Sequence, residues 1–334
     1  MSRRDYDESD VRIRPSRRTK PRTKDRPAHE SAITAFVITV DRGRTTCYLE
    51  DGTIVMAMKA RELGPKSVVV GDYVKLVGDT SGNEGTLSRI VSVDDRKSVL
   101  VRTVDDAAQF ERNIASNIDQ LVIVAAAANP EPRRGLIDRF LVSAFTEGID
   151  PILVITKTDI ANIPDFVKEY ESIGVRCLST KIGGDLNELH SLLNGKVSVL
   201  VGHSGVGKST LLNQLTEADR ETGDVNDVTG RGRHTSSSAY AVALKDFPGQ
   251  KAEANSWLID TPGVRAFGLS HLDPKAIIAA FDDLLEITNS CMTNCSHNET
   301  DCKLNAWMAP GGVEIPERVA RVTSLRNLLA AGLE

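Results

Sequence analysis

Hydrophobic positions along this chain follow three successive rhythms. Between residues 33 and about 103, short β-branched runs, ITAFVITV, RTTCYLE, TIVMAMK, VVVGDYVKLVG and GTLSRIVSV, alternate with turns marked by Asp and Gly, among them Asp51-Gly52. Evenly spaced short strands of this kind predict a small antiparallel barrel. Five strands suit an OB-fold, although other small barrels have a similar composition, and the fold alone assigns no ligand. The aromatic content is low, so base stacking is not an obvious binding mode.

From about 104 the period changes. LVIVAAA at 121–127 is a continuous apolar run that Asn129-Pro130 breaks. RRGLIDRFLVSAFTEG follows, with apolar residues at 136, 137, 140, 141, 144 and 145 before Gly148. This is a buried strand and then one face of a helix with a glycine stop. The alternation repeats as PILVIT, PDFVKEYESIG, VRCLS, DLNELHSLL and KVSVLV, and SWLID at 256–260 adds a further strand. Such a pattern predicts a parallel sheet covered by helices on both faces. Farther on, DPKAIIAAFDDLLEI and PERVARVTSLRNLL carry helical spacing on either side of CMTNCSHNETDC. The expected division is a basic tail at 1–30, a barrel at 31–103, an α/β domain at 104–270 and a small helical domain at 271–334.

Composition narrows what these segments can be. The chain has 334 residues, 40% of them hydrophobic, enough to bury two or three cores. Its net charge of −5 conceals an asymmetry, because residues 12–26, RIRPSRRTKPRTKDR, hold eight Arg or Lys against one acid, Asp25. That stretch has almost nothing to bury. It reads equally as a solubilising tail or as an arm that pairs with phosphates and releases counterions. No run of 18 apolar residues occurs and the polar start lacks a signal-peptide core, so a soluble, cytoplasmic protein without membrane contact is expected. Five cysteines are too few and too unevenly spaced for a secreted disulfide scaffold. Three of them form the pattern Cys291-x3-Cys295-x-His297-x4-Cys302. Three thiolates and one imidazole would complete a tetrahedral zinc shell with no open position, which argues for a structural metal.

GHSGVGKS at 202–209 fits the phosphate-binding loop pattern, behind a predicted strand and ahead of a helix start. Backbone N–H groups of Gly202, His203, Ser204, Gly205, Val206 and Gly207 can wrap phosphates. Lys208 reaches the β and γ oxygens, Ser209 ligates Mg²⁺, and Thr210 continues the contact at the helix start. Asp260, at the end of SWLID, is placed as a Walker-B carboxylate that holds Mg²⁺ through water, and Gly263 can donate to the γ-phosphate. Between them lies GRGRHTSSS, where Thr235 is placed as a second hydroxyl ligand to Mg²⁺. TKTD at 156–159 resembles a guanine reader, although it precedes the phosphate loop. The Asp159 carboxylate can accept from both N1–H and the 2-amino group of guanine, while the Lys157 stem packs over the base plane. Ser179, in Ser179-Thr180-Lys181, could add backbone contacts to the guanine oxygen. In a doubly wound sheet all these segments meet at the C-terminal edge of the strands, whatever their order in the chain.

The rotated order, the barrel and the cysteine-rich segment together resemble the small-ribosomal-subunit-dependent GTPase A family. The similarity runs from about residue 33 onward and is carried by ERNIASNIDQ, GHSGVGKST, GRGRHTSSS, DTPGVRAFG and CMTNCSHNETDC. It implies an OB-fold barrel, a circularly permuted P-loop GTPase domain and a helical zinc domain. It further implies GTP hydrolysis to GDP and phosphate during late small-subunit maturation, with the 30S subunit and its rRNA as partners, one structural zinc, Mg²⁺ with the nucleotide, and a monomeric protein. One departure stands out: the family usually begins its guanine motif with Asn, where this chain has Thr156, so a weaker tether to the phosphate loop is expected. Val264 stands where Ras-type enzymes carry the water-orienting Gln and cannot hydrogen-bond water. The resemblance points to His234 for that role, with Lys208 as the other catalytic residue. Two further readings use the same loop. An ATP-dependent kinase is disfavoured by TKTD and DTPG, and an RNA-binding protein could use GTP only to hold its fold.

Overall fold

A computed structural model of the chain describes residues 31–41, 43–64, 67–105, 108–217, 239–261, 274–279 and 281–333. The basic stretch 12–26 lies outside these residues. The first five strands are β1 (Ile33–Asp41), β2 (Arg44–Leu49), β3 (Ile54–Lys59), β4 (Tyr73–Val77) and β5 (Ser88–Val93). They pair in the order β1-β2-β3-β5-β4, and β4 returns to β1 to close the ring. Only β3–β5 runs parallel among these pairings. Alternation does the sorting: in β3, Val55 and Ala57 face inward while Ile54, Met56 and Met58 face out. The interior is filled by Ala35, Val37, Cys47, Leu49, Val74, Leu76 and Ile90. This is the expected five-stranded barrel. The run VVVG ahead of β4 is not part of a strand; Val68, Val69 and Val70 form a buried turn instead.

A hairpin that the hydrophobic pattern did not announce follows, β6 (Val99–Asp105) and β7 (Ala108–Ser116). Its middle reads as polar sequence, so no alternation marks it.

Five parallel strands come next: β8 (Gln120–Ala126), β9 (Asp150–Thr156), β10 (Arg176–Ser179), β11 (Val197–Val201) and, after the short β12 (Tyr240–Ala243), β13 (Trp257–Asp260). Their spatial order is β10-β9-β8-β11-β13. The helices between them are α1 (Arg134–Thr146), α2 (Val167–Ser172), α3 (Asn187–Leu193) and α4 (Lys208–Leu215). β12 is antiparallel to β13 on one side and meets β1 on the other, at Thr39 opposite Tyr240. Barrel and α/β sheet are therefore one continuous eleven-stranded sheet. Aromatic rings fill the junction: Trp257 stacks on Phe36 at 5.0 Å and meets Tyr48 edge-on at 4.9 Å.

The stretch expected as one helix, DPKAIIAAFDDLLEI, is two, α5 (Pro274–Ala279) and α6 (Asp282–Asn289). Phe281 between them leaves helical geometry (φ −114°, ψ 73°) and buries its ring under Arg321, 4.8 Å away. α7 (Lys303–Met308) and the long α8 (Pro316–Leu333) complete the chain, and α8 packs on α1 and α2. Leu304, Val322, Leu325 and Leu328 join the same apolar cluster as Phe36, Leu121, Phe140 and Leu153. No helix among the described residues is long and apolar enough to cross a membrane.

The barrel is fastened to the α/β part through a buried carboxylate. Asp72 has no exposed surface and accepts four hydrogen bonds: Arg96 Nε at 2.6 Å, an Arg96 terminal nitrogen at 2.8 Å, Ser116 Oγ at 2.6 Å and the Val69 amide at 2.8 Å. Asn117 adds a bond from Nδ2 to the Gly71 carbonyl, 2.8 Å, and accepts from the Lys97 amide at 3.0 Å. Gly71 sits at φ +91°, and a Cβ there would lie 2.1 Å from the Ser116 carbonyl oxygen. The expected outcome of Gly71→Ala is a loss of more than about 2 kcal/mol in urea unfolding. Gly148→Ala, also at positive φ but with open space around it, should lose only about 1 kcal/mol.

Candidate nucleotide and metal sites

The phosphate loop runs from the end of β11 into α4. Gly202 makes this possible, because a side chain there would put Cβ 2.2 Å from the Val124 carbonyl oxygen of β8. The loop can hug its neighbouring strand only without one. Gly207, in the left-handed region, caps α4, so the first free amides of the helix face the loop. Gly202 and Val206 are buried, His203, Gly207, Lys208 and Ser209 are half-buried, and Ser204, Gly205 and Thr210 are exposed. The His203 ring packs back on the loop, Nδ1 lying 2.7 Å from the Ser204 carbonyl oxygen. Lys208 Nζ donates to the carbonyls of Gly202 and His203, both at 2.8 Å. Burial pulls its ammonium below the usual lysine range, and the negative charge of Asp260 opposes that pull. An incoming polyanion would favour the charged form further.

The guanine-motif segment lies beside this loop, as sheet geometry requires. β9 ends at Thr156, whose hydroxyl lies 2.5 Å from the Val206 carbonyl oxygen and 3.2 Å from that of Ala125. Thr156 therefore reaches the phosphate loop with its single donor. Lys157, at φ +60°, turns its ammonium onto the Asn129 carbonyl oxygen. Thr158 donates to the Thr180 carbonyl through its amide at 3.3 Å and its hydroxyl at 3.2 Å, which ties the segment after β9 to the segment after β10. Asp159 and Ser179 are exposed at this edge.

On the other side of the loop, Asp260 closes β13 and is 5% exposed. The Tyr240 hydroxyl donates to its Oδ2 at 3.0 Å, and the Thr261 hydroxyl donates to the Leu200 carbonyl of β11 at 3.3 Å. Hydroxyl and carboxylate oxygens at Ser209 and Asp260 are the donor set that suits Mg²⁺. His234, Thr235, Gly263 and Val264 lie outside the described residues. Sequence reasoning missed Tyr240; its sole signal was alternation in AYAVAL, too short to mark a strand.

The C-terminal cluster assembles. One ligand atom from each of Cys291, Cys295, His297 and Cys302 lies within 4.8 Å of the others. Cys291 and Cys302 sulfurs are 3.9 Å apart, and Cys302 sulfur is 3.8 Å from His297 Nδ1. Sulfurs at tetrahedral corners about 2.3 Å from a metal stand about 3.8 Å apart, so the set could hold a metal ion as found. Positive φ at Asn294 and His297 folds the loop tightly. Arg326 then holds it, donating to the His297 carbonyl at 2.7 Å and to Asn305 Oδ1 at 2.8 Å, while Asn305 Nδ2 donates to the Glu299 carbonyl at 2.9 Å. The two cysteines elsewhere behave as inert core thiols: burial pushes Cys47 and Cys177 up to about 12.

A phosphate loop placed downstream of its base-side segment on a parallel sheet, behind a small barrel, defines a circularly permuted GTPase fold. Two solved structures share it. YjeQ from Thermotoga maritima matches with a TM-score of 0.62 at 23% identity, covering 89% of this chain and 99% of that one. YloQ, described as a circularly permuted GTPase, matches with a TM-score of 0.59 at 21% identity, covering 91% and 97%. The family model for the RsgA GTPase matches residues 93–270. A protein of Pseudomonas aeruginosa (strain LESB58) named small ribosomal subunit biogenesis GTPase RsgA is 36% identical over 276 residues, 79% of this chain and 76% of its own length. A Vibrio vulnificus (strain YJ016) protein, small ribosomal subunit biogenesis GTPase RsgA 1, is 36% identical over 244 residues, 70% of this chain and 66% of its own. The chain belongs to the RsgA GTPase family, and its reaction is the hydrolysis of GTP.

Thr156→Val keeps the side-chain shape and removes the donor to Val206. It should weaken guanine-nucleotide binding roughly 5- to 10-fold, measured by equilibrium titration with a fluorescent GDP analogue, as the buried carbonyl loses a partner.

Proposed function

We propose that this chain is a cytoplasmic, monomeric GTPase of small ribosomal subunit biogenesis, which binds the 30S subunit and its rRNA and hydrolyses GTP late in maturation, faster when bound. The observation that carries the reading is the meeting of the phosphate loop and the TKTD segment at one sheet edge in a chain of this family. The names of its Pseudomonas and Vibrio relatives supply the subunit. In this reading, amides of residues 202–207 and the Lys208 ammonium hold the phosphates, and Thr210 extends the contact. Ser209, Thr235 and Asp260 hold Mg²⁺, which neutralises charge on the β and γ oxygens. Gly263 donates to the γ-phosphate. Asp159 accepts from the guanine edge, Lys157 covers the base, and Thr156 and Ser179 support that end. His234 positions the attacking water, a task Val264 cannot perform. The barrel and the basic stretch 12–26 face rRNA.

GTP turnover measured alone and with purified small subunits, large subunits or free rRNA tests this. Small subunits should accelerate it and large subunits should not; equal response to both overturns the reading. His234→Ala should retain nucleotide and subunit binding yet lose roughly 100-fold or more of the stimulated rate. Asp159→Asn should shift preference from GTP toward XTP, whose 2-oxo group needs a donor.

The metal of the cysteine cluster is zinc in this reading, because three thiolates and one imidazole in a closed tetrahedral set suit it best. Metal analysis should find about one zinc per chain, and chelation should loosen the C-terminal helices before the nucleotide site. A freshly purified, reduced protein without zinc would count against it.

A further inference from the structure

A carboxylate that acts on a metal through water must present one oxygen at a fixed angle, and its own torsion leaves that angle free unless a neighbour holds the other oxygen. Tyr240 meets that requirement. It stands directly across from Asp260 in the β12–β13 ladder, and its hydroxyl donates to Asp260 Oδ2 at 3.0 Å. Two further constraints fix the phenol. Its half-buried ring packs on the apolar cluster that includes Leu211, Leu212 and Leu258, beneath the phosphate-loop helix. Its backbone stands opposite Thr39 of the barrel. The donor is therefore held by the sheet on both sides and by packing at its ring.

We infer that Tyr240 is a positioning residue for the metal-binding carboxylate, holding Asp260 Oδ2 so that Oδ1 serves the hydrated Mg²⁺. The inference rests on the reading of Ser209 and Asp260 as the Mg²⁺ ligands. It also gives β12 a purpose beyond edge pairing: the strand carries to Asp260 a donor that the parallel strands lack the register to supply.

The test compares wild type, Tyr240→Phe, Asp260→Asn and the double variant in release of a fluorescent GDP analogue as Mg²⁺ is titrated. Phenylalanine removes one oxygen and keeps the packed ring. Should that chain not fold, Tyr240→Met, also without a donor, replaces it. The half-saturating Mg²⁺ concentration should rise roughly 3- to 30-fold in Tyr240→Phe, the effect of losing one hydrogen bond to a charged group. The melting temperature and the affinity for the analogue in EDTA should stay at wild-type values. Adding Tyr240→Phe to Asp260→Asn should cause no further rise, since the tyrosine acts through the carboxylate. An unchanged Mg²⁺ requirement, or equal rises in both backgrounds, overturns the inference and leaves the hydroxyl a structural bond. A wild-type protein whose GDP release ignores Mg²⁺ instead overturns the reading of Ser209 and Asp260, independently of Tyr240.

Discussion

Five parallel strands must all release the chain at the same edge, and everything chemical in this protein follows from that restriction. β11 lies between β8 and β13, so the turn after it has the end of one strand on either side. On the β8 side the approach is so close that only a glycine at 202 avoids the Val124 carbonyl. On the β13 side the chain delivers a carboxylate at 260. The segment after β9 lies one strand farther out and still touches the loop, through Thr156 and Val206. None of these meetings depends on which strand the chain visits first. A sheet can therefore have its base-side strands ahead of its phosphate-side strand and keep the same edge.

The barrel is held to this sheet by two interactions of opposite character. At β1 and β13 the contact is a stack of aromatic rings, non-directional and tolerant. At Asp72 it is a fully desolvated charge met by four donors. Burying such a pair adds little net stability, yet removing one partner leaves the other uncompensated at a cost of about 3 to 5 kcal/mol. The rings supply adhesion while the ion pair selects one orientation. Ser116 and Asn117 of the ERNIASNIDQ motif belong to the second interaction, which gives part of that motif a structural role.

How much of this was legible depended on how local each signal was. The barrel strands, the β9 and β11 runs, α1 and the phosphate loop were readable because each carries its own periodicity or punctuation. The four-ligand cluster was readable because its spacing is short. What escaped was non-local. The β6–β7 hairpin buries no regular face, β12 is four residues long, and the helix break at Phe281 is caused by a ring seeking a core built from α1 and α8. Tyr240 escaped for the same reason: its partner is twenty residues away and only the ladder register brings them together. The expectation that Thr156 would hold the loop less firmly than Asn concerned the number of donors. Its single hydroxyl does reach the Val206 carbonyl.

The chain contains two tryptophans, and their placement makes it optically divided. Trp257 is buried at the foot of β13, clasped by Phe36 and Tyr48 of the barrel and three residues from Asp260. Trp307 is half-buried in α7 with the Arg318 guanidinium 4.9 Å above its ring. The first emits from an apolar, ring-lined setting and the second from a charged, partly wet one, so their emission bands separate. Replacing Trp307 with Phe leaves a single native fluorophore at the barrel junction; replacing Trp257 leaves one within the metal-bearing helices. Each half of the molecule thus has its own intrinsic reporter, and the movements of the two can be followed apart without attaching a dye.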